Sequence, residues 1–349
     1  MFSKISKKEI LEFTRVLSLL IYSRLSIINS IELILTQTKN KSFKIILKKI
    51  LTDIKSGVSF SKSLGKHPQI FSDIYIANIT VAEETGRLAE VLTEYTSFLE
   101  KMDSLKKKIT QAARYPLLVI IVALGVLFFM MFFLIPTFEG LFKSVQAQLP
   151  PLTFFLLETS RLFTDNYILF IIVSVLLFFL VRFLFKNAGF KESVIDPFLI
   201  KFPLVSGMYK NNTLARFSLS MAILLQSGVT FLEALKISKN ISPNSIFKKE
   251  IRMQIKNIMK GENFSTVKSK SDFFDSTFLR MMAVGEESSE LDKVFFLMSN
   301  YYGKEFDHQL DNISSLIEPV LIIFVGLIVA IILVGMYLPM FEIINYMGV

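Results

Sequence analysis

The sequence predicts an all-α membrane protein with two homologous cytoplasmic helical bundles and three transmembrane helices. Three features support this fold class: long runs without charged side chains, an internal repeat that joins a polar segment to an apolar span, and an uneven distribution of Lys and Arg. The chain has 349 residues, of which 52% are hydrophobic and 20% charged. Because water-facing surface needs polar cover, the apolar residues must be concentrated in a few segments.

Two segments are expected to form the cytoplasmic bundles: domain 1 at residues 1–114 and domain 2 at residues 187–317. In both, apolar residues recur at steps of three and four, as on one face of a helix. Each segment has room for about five or six helices. The chain start lacks the uninterrupted apolar run and small-residue cleavage site of a secretory signal, which predicts a cytoplasmic N-terminus.

Three apolar runs are expected to cross the bilayer. The spans are residues 115–136, 167–186 and 318–340. Residues 117–135 and 320–338 contain no charged side chain, and about 19 helical residues at ~1.5 Å each cover a hydrocarbon core of ~30 Å. The middle span has the polar residues Ser174 and Arg182, and the long side chain of Arg182 can reach the interface.

The distribution of Lys and Arg places both bundles on the cytoplasmic side. Residues 1–114 carry 19 of the 39 basic residues and residues 187–317 carry 16, whereas residues 137–166 carry two. The positive-inside rule then makes residues 137–166 an extracytoplasmic loop and residues 341–349 an extracytoplasmic tail. The formal charge of +9 is better explained by contact with anionic membrane lipids than by direct binding of nucleic acid, because a basic run precedes the first span.

An internal repeat has an offset of about 203 residues. Pro116 corresponds to Pro319 and Pro136 to Pro339, so two prolines bracket each outer span. Proline is tolerated in the first turn of a helix and is common where helices stop, which predicts helix ends at these positions. Each repeat comprises a cytoplasmic domain and an outgoing helix, and the middle span returns the chain to the cytoplasmic side.

An acidic turn is the sharpest local pattern, and it occurs in both repeats. The candidate residues are Glu83, Glu84, Gly86, Glu286 and Glu287. One interpretation is a surface that docks a basic partner or binds a hard cation. The other is structural, with a helix end, a glycine-assisted turn and a new helix. The structural interpretation is favoured because paired carboxylates near turns are usually solvated, and Ser289 replaces the glycine in the second copy.

Gly228 and Arg216 are further candidates for a partner interface or a structural motif. Gly228 interrupts a helical pattern and predicts a tight helix–helix junction or a hinge, although Arg24 stands at its position in the first repeat. His308 lies near carboxylates, which is typical of a solvated helix face. No phosphate-binding glycine loop or nucleophile constellation occurs, so no catalytic, cofactor or metal site is predicted.

The chain resembles the type II secretion system F family, the inner-membrane platform proteins of type II secretion, type IV pilus and competence pilus machines. The matching features are SGVTFLEALKIS from Ser227, both acidic turns, the YP and EP openings of the outer spans, LPPLT from Leu149, and FPLVSGMYKNNTLARF, whose Ala-Arg-Phe contains Arg216. The resemblance covers residues 10–342. It implies a multi-pass, non-enzymatic protein of the bacterial inner membrane that works as a homo-oligomer.

The resemblance also implies the partners of the protein. Its cytoplasmic domains would lie over a hexameric assembly ATPase, and its membrane part would guide pilin or pseudopilin subunits into a filament beside other inner-membrane assembly proteins. Two other classes remain open. A transporter or channel fits three spans, although the span interiors hold no Asp, Glu, Lys or His. A membrane enzyme or sensor would need a binding site that the sequence does not display. The choice among secretion, pilus and competence machines is also open.

Overall fold

The computed structural model describes residues 5–138, 140, 150–266 and 273–346. These residues form helices joined by short connections and contain no strand. The chain divides into two compact units. The bundle unit comprises Met1–Lys108 and Ile195–His308, and the membrane unit comprises Ile109–Val194 and Gln309–Val349. The all-α fold class is confirmed.

Domain 1 consists of five short helices and the first half of a long one. They are α1 (Lys7–Tyr22), α2 (Ile27–Gln37), α3 (Lys41–Lys55), α4 (Phe60–Gly65), α5 (Asp73–Thr85) and α6 (Leu88–Phe129). Several of these helices have a capping side chain at the N-terminus: Ser6 caps α1, Ser26 caps α2 and Asn40 caps α3. Each cap satisfies backbone N–H groups that the first turn of a helix leaves unpaired.

The second half of the chain begins with four helices. They are α7 (Pro151–Asp165), α8 (Tyr167–Lys186), α9 (Ala188–Phe190) and α10 (Asp196–Lys201). The short helices α9 and α10 lie at the start of domain 2, which continues with α11 (Pro203–Gln226), α12 (Phe231–Ser238), α13 (Ser245–Ile258), α14 (Ser276–Ser288) and α15 (Leu291–Tyr346). Asn244 caps α13 as Asn40 caps α3, each accepting two backbone N–H bonds at equivalent positions. Domain 1 has six of these helices, as predicted, whereas the segment 187–317 holds seven, because the short helices α9 and α10 precede α11.

The two bundles share one hydrophobic core, so they form a single body within the bundle unit. Its aromatic rings occupy equivalent places in the repeats. Phe13 packs edge-on against Phe43 with ring centroids 5.6 Å apart, and Phe217 packs in the same way against Phe247 at 5.4 Å. These side chains are almost fully buried. Burial of large rings in such pairs is the main stabilising contribution of a small helical core.

Polar contacts also cross from one repeat to the other. Ser227 Oγ on the turn after α11 donates to Asn78 Oδ1 of α5 at 2.6 Å, and both residues are buried. Farther along, Lys108 Nζ donates to Asp307 Oδ2 at 2.5 Å. Lys101 lies over the ring of Phe296, with Nζ 4.4 Å from the centroid. A buried, fully paired hydroxyl–amide bond favours one arrangement of the two bundles over its alternatives.

Three helices of the described chain are long and apolar enough to cross a membrane, as predicted. They are the helical stretches Leu88–Phe138, Tyr167–Leu184 and Leu291–Pro339. Helix α7 occupies part of the segment that was expected to be an extracytoplasmic loop. Residues 139 and 141–149 of that segment, including the Leu149 that opens LPPLT, lie outside the described residues, as do residues 347–349 of the expected tail.

The prediction that helices begin and end at the bracketing prolines is wrong. Helix α6 runs through Pro116, and α15 runs through Pro319 and Pro339 to Tyr346. Residues 135–138 are also helical around Pro136. A proline inside a helix removes one backbone donor, which apolar surroundings tolerate when another group pairs with the freed carbonyl. Two of the four prolines have such a replacement, described below.

Candidate functional site

The first acidic turn caps a helix elsewhere in domain 1. Glu83 lies near the end of α5 and accepts the N–H groups of Phe60 at 2.6 Å and Ser61 at 2.9 Å. These groups open α4, whose N-cap residue Ser59 makes no side-chain cap bond. A carboxylate at a helix N-terminus satisfies unpaired donors and complements the positive end of the helix dipole. Glu83 therefore fixes α4 against α5.

The second acidic turn repeats this arrangement in domain 2. Glu286 accepts the N–H groups of Phe264 at 2.6 Å and Ser265 at 3.3 Å, together with the Ser265 hydroxyl at 2.5 Å. Phe264 opens a short 3-10 turn, and its side chain is fully buried. The first glutamate of each pair therefore accepts backbone N–H groups at the start of a helical turn in both repeats.

The second glutamate of each pair is exposed. Neither Glu84 nor Glu287 forms an ion pair in the part of the chain that the structure describes. The described residues also contain no cluster of three or more side chains suited to a metal. Each acidic turn thus directs one carboxylate inward as a cap and one outward to solvent, and only the outward pair is available to a basic partner.

The backbone of each turn keeps a left-handed conformation although the residue changes. Gly86 has φ +70° and its counterpart Ser289 has φ +58°. At the equivalent junctions after α11 and α1, Gly228 has φ +94° and Arg24 has φ +64°. A non-glycine residue with positive φ is strained by its Cβ. Arg24 and Ser289 nevertheless adopt the left-handed conformation of their glycine counterparts, so the turns have the same shape in both repeats.

Gly228 lies on the tight junction that the sequence suggested. A Cβ added there would lie 3.5 Å from the Val81 side chain of α5. Arg216 lies on α11 and is partly buried. Burial lowers the pKa of the Arg216 guanidinium, and Tyr209 opposes this shift. Its Nε atom has no hydrogen-bond partner among the described residues. Gly228 thus lies against α5 two residues before Glu83 of the first acidic turn.

A site that the sequence reasoning missed lies at Pro136 in the membrane unit. Residues Met130–Leu134 form a π-helical turn, in which Ile135 N–H donates to Met130 O five residues back. The next donor in that pattern would be residue 136, paired with Met131 O, but proline has no N–H. Ser160 Oγ of α7 donates to Met131 O at 2.6 Å instead. A side chain of α7 thus replaces the missing backbone bond.

The same replacement occurs at Pro339 in the second repeat. An α-helical donor at residue 339 would pair with Gly335 O, and Thr153 Oγ1 of α7 donates to that carbonyl. Thr153 and Ser160 are seven residues apart, which places both on one face of α7. Gly335 permits the close approach, because a Cβ there would overlap Leu156 of α7. Helix α7 therefore supplies a donor at the equivalent prolines of both outer spans, although the two acceptor carbonyls are one position apart in the repeat.

Equivalent residues also meet at the other ends of the outer spans, beside Pro116 and Pro319. Tyr115, which precedes Pro116, donates its hydroxyl to Glu318 Oε1 at 3.0 Å, and Glu318 precedes Pro319. The repeat offset places these two residues at the same position. The α7 segment could have been recognised from its Pro151 start and its apolar residues at helical spacing.

Comparison with known proteins decides the family. A sequence model described as type II secretion system (T2SS), protein F matches residues 13–136 and again residues 217–339. The chain belongs to the type II secretion system protein F family. The two matches coincide with the two repeats, which confirms the predicted duplication. Members are platform proteins of assembly machines rather than known enzymes, so this F-family protein is a membrane component of such a machine.

Relatives of this F-family protein come from pilus assembly and from secretion. It is 33% identical to the type IV pilus assembly protein PilC of Thermus thermophilus, over 98% of this chain and 84% of that protein. It is 28% identical to PilC of Pseudomonas aeruginosa, over 99% and 92%. It is 23% identical to type II secretion system protein F of Vibrio cholerae, over 99% and 84%.

Proposed function

We propose that this F-family protein is the inner-membrane platform of a type IV pilus machine. The bundle unit faces the cytoplasm and receives movement from a hexameric assembly ATPase, and the membrane unit admits pilin subunits to the growing filament. Similarity supports pilus assembly over secretion, because identity to the two PilC proteins is 33% and 28% but identity to the Vibrio secretion protein is 23%. In this proposal the N-terminus lies in the cytoplasm and the C-terminus outside, a topology that the distribution of basic residues supports.

The continuity of α6 and α15 supports the proposed coupling between the ATPase and the membrane spans. Both helices contribute buried residues to the bundle core, Tyr95 from α6 and Phe295 from α15. Each then continues as one helix into an apolar span. A continuous helix transmits rotation and axial movement that a flexible linker would absorb. An ATPase acting on the bundles therefore moves the spans through these two helices.

Deletion and helix interruption test the proposal. A deletion strain is expected to lose surface pili, and the full chain supplied in trans restores them. A Gly-Ser insertion after Gln111 in α6 is expected to abolish piliation while co-purification with the ATPase persists. The matched control is the same insertion at Lys39, between α2 and α3, which leaves piliation intact. Normal piliation in the deletion strain, or with the α6 insertion, would contradict the proposal.

Topology is tested separately, because the chain has no cysteine. Single cysteines at the exposed positions Lys48 of α3 and Arg252 of α13 are expected to resist a membrane-impermeant maleimide in intact cells. A cysteine at the exposed Asp165 of α7 is expected to react. Reaction at only one of the two bundle positions would place the bundles on opposite sides and refute the duplicated topology.

A further inference from the structure

The contact between the repeats joins two different faces. One face is on α5, where Asn78 and Val81 lie. The other is the turn between α11 and α12, where Ser227 and Gly228 meet them. Val229 on this turn and Ile223 just before it are also buried. A contact between unlike faces of two equivalent domains is heterologous, so it leaves one copy of each face without a partner.

The unpartnered copy of the α5 face is on α14 of domain 2. The repeat offset aligns Val81 with Val284, and Val284 is 60% exposed. It also aligns the fully buried Asn78 with Met281, which is only partly buried. One charged residue differs, since the exposed Arg280 stands in place of Ala77. The long stem of arginine and its frequency at interfaces make it compatible with a contact.

The unpartnered copy of the second face is the turn between α1 and α2 of domain 1. Ile223, 4% exposed in domain 2, aligns with Leu19, which is 61% exposed. Val229, 8% exposed, aligns with Leu25, which is 38% exposed, and the buried Ser227 aligns with the exposed Ser23. The apolar character of the face is retained while its cover is missing. Large exposed apolar residues grouped in this way mark interaction surfaces.

We propose that the α14 face of one chain docks onto the α1–α2 turn of a second copy of the same chain. The contact repeats between molecules the one that α5 makes with the α11–α12 turn inside each molecule. The second copy is the fitting partner because each free face is the counterpart of a face already buried against its complement. Such a head-to-tail contact uses both faces of every chain, so successive copies close into a ring or extend as an open row.

Cysteine pairs in the cysteine-free, full-length chain test this interface in the membrane. The positive control is Asn78→Cys with Ser227→Cys, which should form a disulfide within one chain because their side chains are in hydrogen-bond contact. The probe is the equivalent pair, Met281→Cys and Ser23→Cys, on separately tagged copies that are co-expressed and oxidised with copper–phenanthroline. The negative control pairs Met281→Cys with Lys48→Cys on α3.

The expected result is a cross-linked dimer carrying both tags with the probe pair, and none with either single cysteine alone. A chain carrying both substitutions should give a ladder of higher multimers. Leu19→Glu with Val284→Glu should weaken association by about tenfold or more, because it puts charge at two buried apolar contacts. Ile45→Glu, at an exposed position of α3, should leave association unchanged. Leu19 and Val284 are both exposed in the single chain, so the double variant should keep an unaltered helical circular dichroism spectrum.

Two outcomes overturn the proposal. Cross-linking of Ser23→Cys to itself, or of Met281→Cys to itself, would show a symmetric contact instead of a head-to-tail one. Absence of an interchain disulfide from the probe pair, while the control pair is oxidised, would show that these two faces do not meet between copies. Neither result bears on the assignment to a pilus machine, which rests on the deletion strain.

Discussion

Domains 1 and 2 have the same fold but fill one part of their cores differently. On α3, Ile50 is fully buried among apolar neighbours. Its counterpart on α13 is Gln254, also fully buried, and both polar atoms of its amide have no hydrogen-bond partner among the described residues. Glu250, one helical turn earlier on α13, is likewise buried where α3 has Ile46.

The difference shows which features the duplicated fold retains. Both copies keep the asparagine caps of α3 and α13, the inward glutamate of the acidic turn and the left-handed backbone conformation of the turns. These features satisfy or shape the backbone, whose polar groups cannot be left unpaired in a buried setting. Core side chains can change if volume is roughly preserved, because packing tolerates substitution better than an unmet backbone bond.

The largest expected effect comes from exchanging the core residues at this position. Ile50→Gln should lower stability by about 3 kcal/mol, because it buries an amide without partners. Gln254→Ile should raise stability by about 1–2 kcal/mol for the opposite reason. Circular dichroism melting of the detergent-solubilised protein measures both, with a shift of about 2–4 °C for each kcal/mol. A lower melting temperature for Gln254→Ile would show that the amide has an essential partner, such as an ordered water.

The next effect separates the two glutamates of each acidic turn. Glu83→Ala and Glu286→Ala should each cost about 2–3 kcal/mol, because each leaves two backbone donors at a helix start without a charged acceptor. The matched controls, Glu84→Ala and Glu287→Ala, should change stability by less than about 0.5 kcal/mol. Loss of piliation by the control variants at unchanged stability would identify the outward pair as the surface that binds a partner. Equal destabilisation by all four variants would contradict the division of roles.

A smaller effect concerns the hydroxyls of α7. Ser160→Ala and Thr153→Val should each cost about 1 kcal/mol, because each leaves a proline-freed carbonyl unpaired in apolar surroundings. Thr159→Val is the control, since the Thr159 hydroxyl donates within its own helix, to Phe155 O. The loss at Ser160 should shrink when Pro136→Ala restores the backbone donor, which a double-mutant cycle measures. Additive losses would mean that the hydroxyl does not act through the proline.

Periodicity, charge and the repeat are sufficient to predict the helices, the spans and the duplication, because these depend on local hydrophobic pattern and on lipid thickness. The same signals do not predict that Glu83 caps a helix 23 residues earlier, since long-range pairing depends on packing. The helix ends at the prolines illustrate the same limit. The missing N–H alone favours a helix end, whereas the hydroxyls that replace it belong to α7, a separate helix.

The smallest expected effect comes from substitutions at the left-handed positions Gly86 and Ser289. They test whether the two acidic turns have the same backbone energetics despite the different residues. Ser289→Gly should stabilise the protein by about 0.5–1 kcal/mol, because glycine adopts the left-handed conformation without a Cβ penalty. Arg24→Gly should give a similar gain, and Gly86→Ser should lose about as much as Ser289→Gly gains. These values combine relief of strain with the larger entropy of an unfolded glycine, which opposes the gain. Destabilisation by both Ser289→Gly and Gly86→Ser would contradict this expectation. It would show that the Ser289 side chain stabilises its own turn, so that the two turns depend on different interactions although their backbones have the same conformation.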